Sequence, residues 1–405
     1  MEPDDYSFDI GPMGAIGEQG SLLLRVNRNC PWNRCLFCPL YKGRKFESRV
    51  VEEIKHDIDA VKFLADELTS LSFELGFNGQ VNREVAMALV RENPGIFQPG
   101  RVDDRLLDLR YASLSNVCNW LESGGKHVFL QDADALIMRT HELVAVLKHL
   151  KDVFPGIERV TSYARSKSCI HKNREQLKEI HDAGLSRVLV GIESGYDPVL
   201  EFMHKGVTAR EHIEGGRKVI DSGMGLVAFV MPGLGGKRWA EGHILETTRV
   251  LKEIQPQLVR LRSLAIQEAS PLYGLWKSGD FEPPTDDDMV EEIKRLVEGL
   301  DFNCDIEAGQ LTNILFELHG QLPDQKAYLL HLIQRYQAMS PEQRMRFRFE
   351  RYLKYYLPYL EQVGKLDDSL LRLVEEARSR MAKRPDEAGL IVEKAILAIK
   401  QRGIP

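Results

Sequence analysis

The 405-residue sequence has no long uncharged stretch, no excess of basic residues and no apolar segment near its start. Its longest run without a formal charge, residues 222–236, is 15 residues long, which is too short to cross a bilayer as a helix. Residues 1–10 are acidic where a signal peptide would be basic, so we expect a cytoplasmic protein with no membrane partner. Lys and Arg number 54 against 60 Asp and Glu, and nucleic acid is therefore not expected as a partner.

Cysteine is also scarce, and its distribution argues against a disulfide scaffold. Of the six cysteines, Cys30, Cys35 and Cys38 lie within nine residues, whereas the other three are scattered singly. A secreted disulfide framework would distribute its cysteines in pairs along a short chain. The three clustered thiols are therefore candidate metal ligands.

Short β-rich apolar segments alternate with helical patterns between residues 21 and 266. This alternation predicts an α/β fold in which parallel strands are joined by crossover helices. Most of the segments are apolar at every position, as expected for strands covered on both faces. The six predicted strands are residues 21–26, 127–131, 159–163, 187–192, 225–231 and 258–265.

The domain organisation follows from where this alternation is interrupted. About a hundred residues separate the first two strands, more than the roughly 30 of a simple βαβ unit, so we predict a helical insertion at about residues 69–123. After residue 270 the β pattern disappears and helix-capping signals follow, which predicts an all-helical C-terminal module. The predicted parts are an N-terminal arm (1–20), the α/β domain (21–270) and the C-terminal module (271–405).

The cysteine loop has the spacing C-x4-C-x2-C and follows the first predicted strand. Three thiolates can hold three irons of a cubane cluster and leave the fourth iron open to another ligand. A closed zinc site is an alternative, but it needs a fourth ligand, and the nearest histidine in the sequence is His56. A redox pair of Cys35 and Cys38 is a further alternative, in which the third cysteine has no part.

With Phe37 before its last cysteine, this loop resembles that of the radical S-adenosylmethionine (SAM) superfamily over about residues 15–275. The common form in that superfamily is C-x3-C-x2-C, and the spacing here is one residue longer. A similar start, NCPWNRCxFCPxYKGRKFE, occurs in a branch of predicted iron–sulfur oxidoreductases that resemble oxygen-independent coproporphyrinogen dehydrogenases. The resemblance implies a partial (β/α)6 barrel and a [4Fe-4S] cluster on Cys30, Cys35 and Cys38.

The resemblance also implies where SAM would bind. Acidic groups after the second strand would contact the SAM ammonium, and Arg165 after the third strand would contact its carboxylate. The fourth strand would contact the ribose, and the fifth strand would contact the adenine. Aspartate is also common at helix N-termini, and Arg165 could be an ordinary surface arginine, so these alternatives stay open. The implied cofactor-binding residues are Phe37, Gln131, Asp132, Asp134, Ser162, Arg165, Glu193, Ser194, Met231 and Gly233.

The resemblance implies an enzyme that reductively cleaves SAM to a 5′-deoxyadenosyl radical and abstracts hydrogen from an organic substrate. Its expected partners are a small or medium organic substrate and an electron donor such as flavodoxin or ferredoxin. The catalytic residues and the substrate are not predicted. The alternative is an iron–sulfur or metal-binding scaffold that binds a partner protein without SAM chemistry.

One basic stretch, residues 344–354, raises the question of nucleic acid again. Its arginines alternate with aromatic residues, a composition that can stack on and neutralise a single strand. However, the apolar residues of this region fall at helical spacing, which favours an amphipathic helix packed on the rest of the protein.

Overall fold

The computed structural model describes residues 6–12, 17–100 and 103–402. The chain divides into two compact units. The first comprises Met1–Pro31, Gly43–Val190 and Gly215–Leu226, and the second comprises Trp32–Lys42, Gly191–Glu214 and Val227–Pro405.

Strands and helices alternate along most of the described chain. The strands are β1 (Leu22–Arg25), β2 (Asn27–Arg28), β3 (Glu47–Ser48), β4 (His127–Gln131), β5 (Arg159–Ala164), β6 (Leu185–Glu193), β7 (Gly225–Val230), β8 (Leu258–Leu261), β9 (Cys304–Glu307) and β10 (His319–Leu322). The helices are α1 (Val51–Glu74), α2 (Arg83–Glu92), α3 (Pro94–Phe97), α4 (Asp104–Glu122), α5 (Thr140–Val153), α6 (Ser166–His171), α7 (Arg174–Ala183), α8 (Asp197–Phe202), α9 (Ala209–Asp221), α10 (Gly236–Ile254), α11 (Pro271–Ser278), α12 (Asp286–Gly299), α13 (Lys326–Gln337), α14 (Pro341–Arg351), α15 (Leu357–Gln362), α16 (Asp368–Lys383) and α17 (Gly389–Gln401).

The sheet of the first unit is parallel. Strand β4 lies between β1 and β5, and β6 pairs with the other edge of β5, with Leu22 opposite Val128 and Val128 opposite Val160. The carboxyl ends of parallel strands meet at one edge of a sheet, so β1, β4 and β5 deliver the residues that follow them to the same edge. The six predicted strands are all present, and the predicted α/β class is confirmed.

The second unit corrects the expectation of an all-helical C-terminal module. Strand β9 runs parallel to β8, with Val259 opposite Ile306, and β10 pairs with β9 in antiparallel orientation. Each has four residues. A run of that length shows too few repeats of the two-residue period to be distinguished from a loop by sequence.

The segment predicted as a helical insertion, residues 69–123, contains the end of α1 together with α2 and α4. The side chain of Asn82 accepts hydrogen bonds at the start of α2, and that of Asp103 does so at the start of α4, which explains why these helices begin there. The Pro/Gly-rich connection between α2 and α4 contains the short helix α3. Within the described residues, no helix combines the length and apolar character needed to cross a membrane.

The basic stretch near the C-terminus forms an amphipathic helix, which confirms the packing interpretation. The buried residues at helical spacing in this region and just after it are Met345, Phe349, Tyr352, Tyr356 and Leu360, whereas Phe347 and Leu353 are half-buried. Three of its arginines are occupied by carboxylates: Arg344 by Asp287, Arg348 by Asp287 and Glu393, and Arg351 by Glu317. These arginines are therefore already neutralised within the protein.

Candidate functional site

The loop that carries Cys35 and Cys38 is held by its own unit. The backbone N–H of Leu36 donates to the Met203 carbonyl over 3.0 Å, and the Leu36 carbonyl accepts from Leu272 N–H over 2.9 Å. The Trp32 indole Nε1–H donates to the His204 carbonyl over 2.7 Å. The backbone between the two cysteines is therefore fixed by protein contacts.

The three loop thiols are half-buried, and Cys30 belongs to the first unit while Cys35 and Cys38 belong to the second. Among the residues that the structure describes, no group of three or more His, Cys, Asp or Glu side chains is arranged to hold a metal ion. The assignment of these cysteines as cluster ligands therefore stays a prediction.

The scattered cysteines differ from the loop cysteines in their environment. Cys118, Cys169 and Cys304 are buried. Burial raises the pKa of the Cys304 thiol to about 12, and it also raises the pKa of Cys118 and Cys169. Because the thiolate is the form that binds metals, these three cysteines are poor ligands, and the loop holds the accessible thiols.

The structure brings Phe37 and Glu193 to the same lysine. The Lys205 ammonium lies 5.6 Å from the centre of the Phe37 ring and 3.3 Å from Glu193 Oε1. Both charged side chains are 13% exposed, so the pair is partly desolvated. Lys205 therefore links Phe37 and Glu193, two of the predicted cofactor-binding residues.

Two backbone features position the Glu193–Lys205 pair. Glu193 has a φ of 63°, in the left-handed region that residues with side chains seldom adopt. A Cβ at Gly191 would lie 2.4 Å from Glu193 Oε1 and 3.0 Å from Lys205 Nζ, so a side chain there would displace the pair. Strained backbone of this kind is concentrated at functional sites.

Ser194 is fully buried and hydrogen-bonded to His243, a residue that was not predicted from the sequence. The Ser194 hydroxyl lies 2.8 Å from His243 Nδ1, and the Met231 carbonyl lies 3.1 Å from His243 Nε2. Burial lowers the pKa of His243 to about 4, so the ring is neutral at physiological pH. A carbonyl can only accept; Nε2–H must therefore donate to Met231, and Nδ1 accepts from Ser194.

Gly233 is supported by a second residue that was not predicted, Glu292. The Glu292 Oε2 accepts from the Gly233 backbone N–H over 2.6 Å, and its Oε1 is buried without a hydrogen-bond partner. Burial raises the pKa of the Glu292 carboxyl to about 8. Met231, Gly233 and Ser194 are thus connected to helices α10 and α12, and no sequence motif signals either supporting residue.

Replacing Glu292 by glutamine should flatten the dependence of stability on pH. The folded-state pKa of about 8 exceeds the ordinary value of 4.5, so stability from this group is complete below 4.5 and is lost as the pH rises to about 8. The free energy of unfolding, measured with urea, should fall between about pH 5 and about pH 8 in the wild type. This fall should exceed that of Glu292→Gln by on the order of a few kcal/mol. The control is Glu298→Gln, at an exposed position of the same helix. An equal decrease in wild type and Glu292→Gln would contradict this assignment.

In the first unit, Asp132 and Asp134 follow β4 and are both buried. Asp132 Oδ2 accepts from Arg25 over 2.7 Å and from Asn29 N–H over 2.7 Å, whereas Asp134 Oδ2 accepts from the Ser168 hydroxyl over 2.5 Å. The Oδ1 atoms of both aspartates are buried without a hydrogen-bond partner. Burial raises the pKa of Asp134 to about 6, and the nearby Arg165 charge opposes that rise.

Two further predicted residues of this unit, Gln131 and Ser162, contact backbone groups. The Gln131 side chain accepts from Gly11 N–H over 2.8 Å and donates to the Gly11 carbonyl over 3.2 Å. The Ser162 hydroxyl lies within hydrogen-bond distance of the carbonyls of Leu130 and Tyr163. These contacts fix the strand ends around the two aspartates.

Comparison with known proteins finds partial similarities. No family model matches the chain. It is 26% identical over 125 residues to a tRNA uridine(34) acetyltransferase of Methanocaldococcus jannaschii. The matched region covers 29% of this chain and 22% of the relative. It is 26% identical over 140 residues to the human Elongator complex protein 3, which is 34% of this chain and 25% of the relative. The chain thus matches about a quarter of the length of these relatives.

Solved structures show a weak similarity over more of the chain. Coproporphyrinogen III oxidase from Escherichia coli, described as a radical SAM enzyme, has 12% identity and a TM-score of 0.35 over 94% of this chain and 89% of its own. The [FeFe]-hydrogenase maturase HydG has 14% identity and a TM-score of 0.40 over 93% of this chain and 77% of its own. Similarity of this strength carries no conclusion about substrate or chemistry.

Proposed function

We propose that this chain is a radical SAM enzyme in which Cys30, Cys35 and Cys38 hold a [4Fe-4S] cluster. The observation that carries the proposal is the loop itself, on which all three thiols are half-buried while the other cysteines of the chain are buried. This donor set fits an iron–sulfur cluster with one iron left open, since thiolates are its usual protein ligands. When bound, the reduced cluster and SAM supply radical chemistry that removes a hydrogen atom from an organic substrate.

The second unit would bind the nucleoside part of SAM. The Glu193 carboxylate can accept hydrogen bonds from two ribose hydroxyls, and the Lys205 ammonium lies 3.3 Å from its Oε1. The neutral His243 accepts a hydrogen bond from the Ser194 hydroxyl and donates one to the Met231 carbonyl. His243 is therefore a positioning residue for this strand end.

The first unit would bind the amino-acid part of SAM. The buried Oδ1 atoms of Asp132 and Asp134 have no hydrogen-bond partner, and an unpaired buried acceptor is costly. An ammonium group carries three N–H donors that such an acceptor can use. The guanidinium of Arg165 can grip a carboxylate with two parallel hydrogen bonds.

The proposal predicts release of 5′-deoxyadenosine from SAM. Protein reconstituted anaerobically with iron and sulfide should form it when dithionite is added and should form none without the reductant. Chromatography with mass detection measures the product. Reconstituted protein that carries iron but releases no 5′-deoxyadenosine would contradict the proposal and favour a scaffold protein.

We further propose a cytoplasmic oxidoreductase-type enzyme that receives electrons from flavodoxin or ferredoxin and acts on a small or medium organic substrate. A second candidate is modification of tRNA, favoured by the similarity to tRNA uridine(34) acetyltransferases. The neutralised arginines of α14 argue against that helix as an RNA-binding surface. Adding total tRNA to the assay separates the two, because a tRNA substrate should stimulate 5′-deoxyadenosine release and a small-molecule enzyme should not respond.

A further inference from the structure

A cavity of about 510 Å³ opens in the first unit, beside the segments 136–141 and 168–176. The first segment connects β4 to α5, and the second runs from α6 into α7. This volume lies within the range of pockets that bind small ligands. Apart from Ser168, which donates to Asp134, the residues that line this cavity have no part in the proposed function.

The lining is rich in cationic and hydrogen-bond-donating side chains and contains no carboxylate. The side chains that can carry positive charge are Arg139, His141, His171 and Lys172. Of the acidic residues nearby, Glu142 lies 3.8 Å from Arg139, and Asp134 is buried and accepts from Ser168. The cavity therefore favours an anion over a cation.

Lys172 is the most constrained of these groups, because it is only 8% exposed. Its ammonium donates to the Met138 carbonyl over 2.8 Å and to Thr140 Oγ1 over 3.4 Å. Lys172 also lines the cavity, and an ammonium has three N–H donors, one more than these two hydrogen bonds use. Burial lowers the pKa of Lys172, and a bound anion would offset that loss of solvation.

Part of the wall is apolar, beside the polar side chains of Thr140, Ser168 and Gln176. Leu136 and Met138 are buried and line the cavity, and Ile137 beside them is exposed. A ligand that carries an apolar part as well as a charged group matches this lining.

We infer that this cavity binds a small organic molecule that carries an oxyanion, with its apolar part against Leu136 and Met138 and its oxyanion on Lys172 and Arg139. The inference does not depend on SAM or on the cluster. Phosphate and carboxylate share the required chemistry, and the experiment distinguishes them.

Isothermal titration of the full chain with phenyl phosphate and, separately, benzoate tests this inference, with neutral phenol as the uncharged comparison. We expect saturable binding of at least one anion and none of phenol. Arg139→Gln, at an exposed position, should weaken binding about tenfold or more, and so should Lys172→Met. Lys178→Gln, at an exposed position on α7, should leave binding unchanged.

Lys172→Met also removes the hydrogen bond to the Met138 carbonyl. Its result is therefore used only if its melting temperature equals that of the wild type. Arg139→Gln changes an exposed residue and tests the inference without disturbing the interior. The inference is overturned if neither anion binds saturably or if the Arg139→Gln and wild-type affinities are equal. Displacement of the anion by SAM would also overturn it, because the cavity would then be part of the SAM site.

Discussion

Cys35→Ala is expected to abolish the iron–sulfur cluster. Thiolates are the ligands of such clusters, and the loop has three of them, so loss of one leaves two protein ligands for four irons. Anaerobically reconstituted wild type should carry about four irons and four sulfides per chain, and the variant should carry close to none. Colorimetric iron and sulfide determination, together with the broad visible absorbance, measures the loss.

The matched control is Cys304→Ala, which removes a buried thiol whose pKa is raised by burial to about 12. It should retain the full iron and sulfide content. Cys30→Ala and Cys38→Ala should behave like Cys35→Ala. Full iron in any loop variant, or stoichiometric zinc instead of iron in the wild type, would overturn the cluster assignment.

Glu193→Gln is expected to raise the concentration of SAM needed for half-maximal cleavage about tenfold or more. The substitution keeps the shape of the side chain but removes the charge that strengthens hydrogen bonds to the ribose. It also leaves Lys205 without its carboxylate partner at 3.3 Å. The iron content should remain that of the wild type, since Glu193 is not a cluster ligand.

Glu201→Gln provides the comparison, because this glutamate is exposed on the nearby helix α8. Its SAM requirement should not change. If Glu193→Gln needs no more SAM than Glu201→Gln, the ribose assignment is wrong even if the cluster assignment holds.

Much of the fold could be predicted because burial on both faces marks a strand clearly. Strand β4 was located at its observed bounds, since every residue after His127 is apolar or lies at the strand end. Likewise, Asn82 and Asp103 are residue types that favour helix N-termini, and each lies one residue before a helix, α2 or α4. Short strands such as β9 left no comparable signal, because their pairing depends on partners that are distant in the sequence.

The candidate site was predicted less completely, for a similar reason. Cysteines at close spacing and acidic residues after strands are visible in the sequence. By contrast, His243 and Glu292 are single polar residues on helices, and only their burial reveals that they support Ser194 and Gly233. Such a role is created by tertiary contacts, which helix periodicity does not encode.

The central claim is that the cysteine loop holds a [4Fe-4S] cluster with one iron open to SAM. Electron paramagnetic resonance of the dithionite-reduced, reconstituted wild type tests it most directly, recorded with and without SAM. The account predicts the signal of a reduced [4Fe-4S] cluster whose g values shift when SAM is added. A cluster signal that does not respond to SAM, or no cluster signal in iron-loaded protein, would contradict it.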